Sequence, residues 1–225
     1  MRYIFILNDA NSANKLNKIY KTSRFRYLAD PYVPILPENI NIREEYNIPC
    51  NNKLLIHIGA LDNRKGTLSI LESLLNLPTE YKNKLTFFFA GRIEKGIKNQ
   101  FYNMLGQIKD VNIIVKDEFC TYGFFATLCA QADAILMPYK LDNVSSGIIG
   151  YASQFQCPVI APSSGLIGSL VKMYNLGYLL SSISEEELID AYRYVLENKI
   201  KCPDTKYCCT HTIKEFNETI STILD

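Results

Sequence analysis

The sequence predicts an α/β fold with a parallel, Rossmann-like sheet and helices on both of its faces. Three features indicate this fold. Short apolar segments of strand length alternate along the chain with segments of helical periodicity. Several of the apolar segments end at glycine or proline. They also have the continuous apolar form of strands that are buried on both faces, as in a parallel sheet.

From residue 53 onward the elements can be assigned in order. The apolar runs predict strands over 53–59, 85–90, 111–115, 134–137, 158–161 and 177–180. Helical spacing predicts helices over 66–77, 97–108, 122–132, 147–155 and 166–174. Ser184 precedes three glutamates and predicts the capped start of a last helix of this domain.

The first fifty residues follow another pattern. We predict one strand over 1–7 and one helix over 12–20, and four prolines between positions 31 and 49 are expected to break any regular element there. We therefore expect three parts. Residues 1–50 are the remnant of a preceding domain with its linker, residues 51–200 a Rossmann-like domain, and residues 201–225 a C-terminal extension of helical pattern.

Composition excludes several classes of protein. Of the 225 residues, 48% are apolar and 21% charged, which is typical of a soluble globular domain. The formal net charge of +1 gives no reason to expect nucleic acid as a partner. We expect no transmembrane segment, because the apolar runs are only of strand length.

Cysteine usage bears on location and metal binding. The seven cysteines are odd in number, irregularly spaced and without a C-x-x-C pair. We therefore expect reduced thiols, a cytoplasmic protein and, with only His57 and His211 alongside, no metal site. Cys129 and Cys157 lie in apolar segments and are expected in the core.

Candidate binding residues follow the predicted strands, because an open parallel sheet binds ligands at the carboxyl ends of its strands. Gly59 ends the first strand of the domain, and Arg64 and Lys65 stand at the start of the next helix. A helix N-terminus with two added cations suits a diphosphate, although an ordinary solvated loop has the same form. Neither G-x-G-x-x-G after a strand nor a P-loop motif is present.

The later strands add further candidates at the same edge. Gly91 and Arg92 follow the second strand. Glu118 and Phe119 follow the third, where a base or sugar hydroxyls are expected to bind. After the fourth strand, two hydroxyls and a glycine at a helix start form either another anion-binding terminus or a plain capping sequence: Ser145, Ser146 and Gly147. The repetition of such candidate residues at successive strand ends favours a binding site.

Four sequence phrases, in this order, resemble the C-terminal domain of the family 4 glycosyltransferases, which are retaining enzymes of GT-B fold. They are Gly59 with Arg64-Lys65-Gly66, the strand 85–91 ending at a glycine turn, Gln131-Ala-Asp-Ala-Ile-Leu-Met-Pro138, and Cys157-Pro-Val-Ile-Ala161. Together they span about two thirds of the chain. Tyr27-Leu-Ala-Asp-Pro31 is similar to the end of the family's acceptor-binding domain.

The resemblance implies roles for individual residues. Lys65 matches the lysine that contacts the donor diphosphate. Ala60 stands where the family often has an arginine, and Arg64 or Arg92 is the candidate replacement. The family's paired glutamates fall near Asn143 and Tyr151, neither of which is acidic. Standard ribose recognition is therefore in doubt, and Ser145, Ser146 and Gly147 are candidates for part of the donor contact.

The resemblance implies a retaining hexosyltransferase of polysaccharide biosynthesis. Its donor is a nucleotide diphosphate sugar of UDP or GDP type, and it needs no cofactor and no metal. The acceptor, a glycan or a lipid-linked sugar, is expected to bind through the missing N-terminal domain, so that this chain alone is inactive. The expected location is the cytoplasm, with peripheral association at the inner face of the membrane left open.

Three alternatives stay open. A degenerate, non-catalytic binding or scaffold module of the same fold would have the same sequence pattern, as would a nucleotide-sugar epimerase. A flavodoxin-like or receiver-type domain is less well supported, because no acidic cluster follows the first strand of the domain.

Overall fold

The computed structural model describes residues 3–141 and 144–224 and contains two parallel sheets. A two-stranded sheet near the N-terminus, called here the small sheet, pairs β1 (Ile4–Leu7) with β2 (Phe25–Leu28). The main sheet has six strands: β3 (Lys53–Ile58), β4 (Leu85–Ala90), β5 (Asn112–Lys116), β6 (Ala134–Leu136), β7 (Val159–Pro162) and β8 (Gly177–Leu180). Every strand pair in it is parallel, which confirms the predicted fold class.

Helices connect the strands throughout. They are α1 (Ala10–Ile19), α2 (Ile42–Glu45), α3 (Thr67–Leu75), α4 (Thr79–Lys82), α5 (Lys95–Gln107), α6 (Tyr122–Gln131), α7 (Ile148–Phe155), α8 (Gly165–Met173), α9 (Glu185–Leu196), α10 (Lys206–Thr210) and α11 (Ile213–Leu224). Helices α3, α5 and α9 cover one face of the main sheet, and α6, α7 and α8 cover the other. Both faces are therefore buried, as the continuous apolar strands require.

Strand β4 shows how the sequence divides between the two cores. Its side chains alternate between the faces of the sheet, because strand side chains have a period of two. Phe87 and Phe89 pack with α3 and α5, whereas Phe88 and Ala90 pack with α6. All four are buried, so an apolar residue is needed at each position.

The order of strands in the main sheet is β5-β4-β3-β6-β7-β8. The chain thus builds outward from β3 in one direction and then returns to add β6 on the other side of it. This reversal between β3 and β6 is the topological switch point, where open α/β sheets bind ligands at the carboxyl ends of the strands. The predicted site residues Gly59 and Lys65 follow β3, and Ser145 and Ser146 follow β6.

Three short elements were not predicted from the sequence. Strand β2 was missed because only four residues form it and two of them are exposed. Helix α2 lies inside the segment where prolines were expected to break any regular element. It forms there because Asn41 accepts hydrogen bonds from the backbone N–H groups of Arg43 and Glu44. Helix α4 follows Pro78, which the sequence placed at the end of a helix and which also precedes the next one.

Segments on both sides of the main sheet are joined to its helices by partly buried hydrogen bonds. Residues 35–38 cross α6 and α7, where the N–H of Glu38 donates to Thr127 Oγ1 (2.7 Å) and the N–H of Ile35 donates to Gln154 Oε1 (3.2 Å). The N–H of Tyr32 donates to the carbonyl of His211 at 2.6 Å. The C-terminal segment forms α10, which packs on α7, and then α11.

Cys129 and Cys157 are buried, as the sequence predicted, and burial raises the pKa of both thiols. Among the residues that the structure describes, no helix combines the length and the apolarity needed to cross a bilayer.

Candidate functional site

The loop between β3 and α3 places a lysine ammonium against the end of β3. Gly59 has φ +96°, a conformation that residues with a Cβ rarely adopt. Lys65 Nζ lies 3.5 Å from the carbonyl oxygen of Ile58. Asp62 stabilises the loop. It accepts a hydrogen bond from the N–H of Lys65 at 2.7 Å and forms an ion pair with Arg64 at 3.3 Å.

The Lys65 ammonium is partly desolvated and has no carboxylate within ion-pair distance in the described part of the chain. Burial is the main cause that lowers the pKa of Lys65, with the carboxylate of Asp62 opposing it and the Arg64 guanidinium adding to it. The face of the Tyr139 ring lies 5.6 Å from Nζ. A half-buried cation without a counter-ion is a site that an anion stabilises.

Helix α3 begins at the same point. Gly66 is its N-cap in the left-handed conformation (φ +75°), and no side chain caps the helix. A Cβ at Gly66 would collide with the carbonyl of Pro138, so glycine lets the loop after β3 touch the loop after β6. The N–H of Lys140 donates to the carbonyl of Arg64 at 2.8 Å across the same contact. The helix N-terminus therefore lies at the switch point without a side-chain cap, and a helix N-terminus favours negative charge.

Beside this loop lies a cleft of about 300 Å³, called here the aromatic cleft. Its lining residues are Gly59, Ala60, Gly91, Arg92, Glu118, Phe119, Cys120, Tyr122 and Phe125. Gly91 (φ +138°) packs so tightly against Gly59 that a Cβ would overlap the Gly59 carbonyl. Phe119 is 77% exposed and Tyr122 69% exposed, which is unusual for such large apolar side chains.

The cleft thus combines flat apolar surface with a cation. The Arg92 side chain is exposed and makes no ion pair within residues 3–141 and 144–224. Glu118 is less available, because it pairs with Lys116. Lys116 in turn lies 5.2 Å over the Phe124 ring. Aromatic faces beside a free guanidinium suit a planar ring that carries a negatively charged group.

The predicted serines after β6 lie in different surroundings. Ser145 Oγ donates to Asp30 Oδ2 (3.1 Å) and accepts from Asn8 Nδ2 (3.0 Å), so it joins the end of the small sheet to the main domain. Ser146 Oγ lies 3.4 Å from the hydroxyl of Tyr139, the ring beneath Lys65. Gly147 is the N-cap of α7 with ordinary helical dihedrals, and nothing crowds it.

Of the remaining two predicted residues, one lies outside the described residues and the other does not join the group. Asn143 lies outside the residues that the structure describes. Tyr151 is only 7% exposed, and its ring packs edge-on to Tyr32 at 5.9 Å and stacks on Phe155. Burial raises the pKa of Tyr151 to about 12. Its side chain is part of the core and is not presented to a ligand in this structure.

The structure therefore collects one half of the predicted set at the carboxyl edge of β3, β4 and β5: Gly59, Lys65, Gly91, Arg92, Glu118 and Phe119. Arg64 borders this group but is paired with Asp62. Sequence reasoning missed Ala60, Cys120, Tyr122 and Phe125 as cleft residues. The spacing of Tyr122 and Phe125, one helical turn apart directly after Phe119, was the signal that could have identified them.

Comparison with known proteins gives one family and many related folds. The family model of the glycosyl transferases group 1 matches residues 38–208. None of the curated protein sequences is significantly similar to the chain.

Among solved structures, WaaG, a glycosyltransferase involved in lipopolysaccharide biosynthesis, has a TM-score of 0.70 at 21% identity, and the match covers 97% of this chain and 61% of WaaG. HepE from Anabaena, in complex with UDP-glucose, has a TM-score of 0.76 at 15% identity, over 99% of this chain and 63% of HepE. The trehalose-6-phosphate synthase OtsA has a TM-score of 0.70 at 12% identity, over 89% and 51%. The chain thus spans roughly half to three fifths of the length of these structures, and at such identities they show a shared fold.

Proposed function

The chain belongs to the glycosyl transferases group 1 family, and from this premise we propose that it binds the nucleotide diphosphate sugar donor of a retaining hexosyltransferase. The observation that carries the proposal is the Lys65 ammonium, which is partly buried, makes no ion pair within the described residues and lies beside the uncapped N-terminus of α3. A diphosphate supplies two negative charges and several hydrogen-bond acceptors at that point.

In this proposal the aromatic cleft takes the base. Phe119 and Tyr122 offer exposed rings for stacking, and Arg92 lines the same cleft. Stacking on aromatic side chains tolerates several bases, which agrees with a UDP- or GDP-type donor. Lys65 and the helix terminus then stabilise the charge that develops on the departing diphosphate, so no cofactor or metal is required for that role.

The proposal assigns most of the acceptor site to protein outside this chain. Roughly two fifths or more of each solved structure above lies outside its match to this chain, and we propose that residues 1–50 belong to the end of such an additional N-terminal domain. An acceptor glycan or lipid-linked sugar would bind mainly there. The chain alone is then expected to bind donor without transferring its sugar.

Charge on α1, on β2 and on the loop between them supports a place at the cytoplasmic face of a membrane. Residues 10–29 hold five cations and no acidic residue, although the whole chain has a net charge of only +1. The cations, all exposed, are Lys15, Lys18, Lys21, Arg24 and Arg26. Ile19 and Tyr20 between them are 60% and 65% exposed. We propose that this basic surface attracts anionic lipid headgroups, each cation contributing about 1 kcal/mol.

A degenerate module that keeps the fold without binding donor is the second candidate. Tyr151 favours it, because the resemblance places a ribose-binding glutamate at this position and the structure buries the tyrosine in the core. The two candidates differ in one measurable property, which is the affinity for nucleotides.

Calorimetric and thermal-shift titrations of the purified chain with UDP, GDP and their hexose derivatives test the proposal. We expect saturable binding of one nucleotide and at least a tenfold loss, about 1.4 kcal/mol, in Lys65→Ala. Lys140→Ala is the matched control, because the Lys140 side chain is exposed and, in the described part of the chain, its Nζ donates to Asn63 Oδ1, away from Lys65. Absence of binding to every nucleotide, or an equal loss in both variants, would reject the donor site in favour of the degenerate module.

A further inference from the structure

A second cavity, of about 260 Å³, separates the small sheet from α8 and shares no lining residue with the aromatic cleft. Side chains that carry its chemistry are Asp9, Asn11, Tyr27, Ser169, Met173 and Tyr174. We call it the tyrosine cavity. Its volume lies just below the roughly 300–1,000 Å³ typical of pockets for drug-sized ligands, so it suits a ligand of about one ring.

The tyrosine cavity reaches from the carboxyl end of the small sheet along α8. Asn8, which also lines it, directly follows β1, and Tyr174 lines it at the end of α8. Asn8 Nδ2 donates to Ser145 Oγ at 3.0 Å, and Ser145 belongs to the loop after β6. One end of the cavity therefore borders the loop that leads away from the switch point.

The lining selects a neutral ligand rich in hydroxyl groups. No arginine or lysine lines the cavity, so a phosphate or nucleotide would find no counter-ion there. Asp9 uses Oδ1 to cap α1, and its other oxygen is free in the described part of the chain. The Asn11 side chain is exposed and likewise has no hydrogen-bond partner among the described residues. A carboxylate oxygen and an amide can each bond to sugar hydroxyls.

Two aromatic rings supply the apolar surface that a sugar ring needs. Tyr174 is held edge-on to Tyr207 (5.2 Å) and to His211 (5.4 Å). The hydroxyl of Tyr27 lies 3.4 Å from Nε2 of the same His211. The segment after α9 thus fixes both rings before any ligand binds, which lowers the entropy cost of binding. Tyrosine combines an apolar face with a polar tip and suits the mixed surface of a hexose.

From this lining we infer that the tyrosine cavity binds one neutral hexose ring. Building on the proposed donor site, we assign that ring to the acceptor, so that part of the acceptor site lies on this chain.

The test is a two-dimensional amide NMR titration of the isotope-labelled chain with three probes: the methyl glycosides of glucose, galactose and mannose. We expect millimolar binding of one of them, with shifts at residues of α8 and the start of α1. Ser169→Leu fills the cavity and should weaken the sugar at least fivefold, and Asn11→Ala should weaken it less. Lys172→Leu is the matched control, because Lys172 is exposed on the same helix and does not line the cavity.

The outcomes separate this inference from the proposed function. Sugar binding that Ser169→Leu abolishes, while UDP or GDP still binds that variant, supports both. Nucleotide binding without any sugar-dependent shift, or with shifts that Ser169→Leu leaves unchanged, overturns the tyrosine cavity alone. Sugar binding without nucleotide binding overturns the donor site and the acceptor assignment, and leaves a saccharide site.

Discussion

The side chain of Lys65 occupies the space that a Cβ at Gly59 would need. A Cβ built at Gly59 lies 2.5 Å from Lys65 Nζ, closer than non-bonded atoms approach. The absence of a side chain at the end of β3 thus makes room for the ammonium that we propose to bind the diphosphate. Gly59 and Lys65, six positions apart in the sequence, therefore act together, and the proposed binding of the diphosphate needs the glycine as much as the cation.

The first prediction concerns Gly59→Ala. The methyl group displaces the ammonium, and φ +96° is strained for alanine, so we expect a loss of about 1–3 kcal/mol in the free energy of unfolding. Nucleotide affinity should fall at least tenfold. Gly96→Ala is the control, because Gly96 lies in α5 with nothing within 4 Å of a new Cβ, and it should stabilise by roughly 0.5–1 kcal/mol. Urea unfolding and calorimetry measure both effects, and unchanged affinity in Gly59→Ala would contradict the assigned role of Lys65.

The second prediction tests binding of the base separately from binding of the diphosphate. Phe119 is 77% exposed, so Phe119→Ala should leave the free energy of unfolding nearly unchanged. If the ring stacks on the base, nucleotide affinity should fall at least fivefold, since stacking on one aromatic side chain contributes about 1–3 kcal/mol. Inorganic pyrophosphate, which has no base, should bind both proteins equally. Leu36→Ala, a truncation of a side chain that is 84% exposed and lies outside the cleft, is the control. Equal nucleotide binding by Phe119→Ala and the parent chain would remove the base from the aromatic cleft.

The strands of the main sheet could be predicted because burial on both faces gives continuous apolar runs, of which β4 is the clearest. The strand ends then located Gly59, Gly91 and Phe119 at one edge. Strand β2 could not be found in this way, because its Arg26 and Tyr27 are exposed and its hydrogen bonds come from the distant β1. The residues of β2 themselves do not indicate which strand they will pair with.

The serines show the same limit within the site. Ser145 and Ser146 are adjacent and chemically alike, and the sequence gives no reason to treat them differently. In the fold, Ser145 bonds to Asn8 and Asp30, more than a hundred residues away, whereas Ser146 lies beside Tyr139. Likewise Tyr151 follows the family's spacing to a ligand position, but its ring packs against Tyr32 of the linker. Only the tertiary structure determines which of these groups remains available to a ligand.

The third prediction tests the basic surface that α1, β2 and the loop between them form. The double variant Lys18→Glu, Lys21→Glu removes two positive charges and adds two negative ones, so binding to anionic lipid vesicles should fall at least tenfold. Binding of the parent chain should also decrease as salt rises, because screening weakens surface electrostatics. Lys172→Glu, Lys201→Glu changes the net charge equally at exposed sites outside the basic surface and should bind like the parent. Sedimentation with phosphatidylserine-containing vesicles measures the bound fraction, and equal loss in both double variants would point to net charge alone.

The last prediction concerns His57, which is buried beneath the switch point. Its Nδ1–H donates to the carbonyl of Leu136 (2.8 Å), and the hydroxyl of Thr67 donates to Nε2 (3.0 Å), so the neutral ring joins β3, β6 and α3. Burial lowers the pKa of His57 to about 4, the bond to Leu136 opposes this shift, and the nearby Lys65 adds to it. In the unfolded chain the pKa is about 6.5. Between these values the unfolded state binds a proton that the native state does not, so stability falls as pH falls from 6.5 towards 4.

The expected size of this effect is about 2 kcal/mol between pH 7 and pH 5. His57→Gln keeps an amide donor and acceptor in the same place but does not titrate, so its stability should depend less on pH by that amount, even if it is lower at pH 7. His211, whose pKa is also lowered by burial, titrates in both proteins and cancels in the comparison. Urea unfolding of both proteins at the two pH values gives the difference directly. Parallel pH dependences would mean that His57 accepts a proton in the native state, and that the tie between β3, β6 and α3 beneath the proposed donor site is weaker than its two hydrogen bonds indicate.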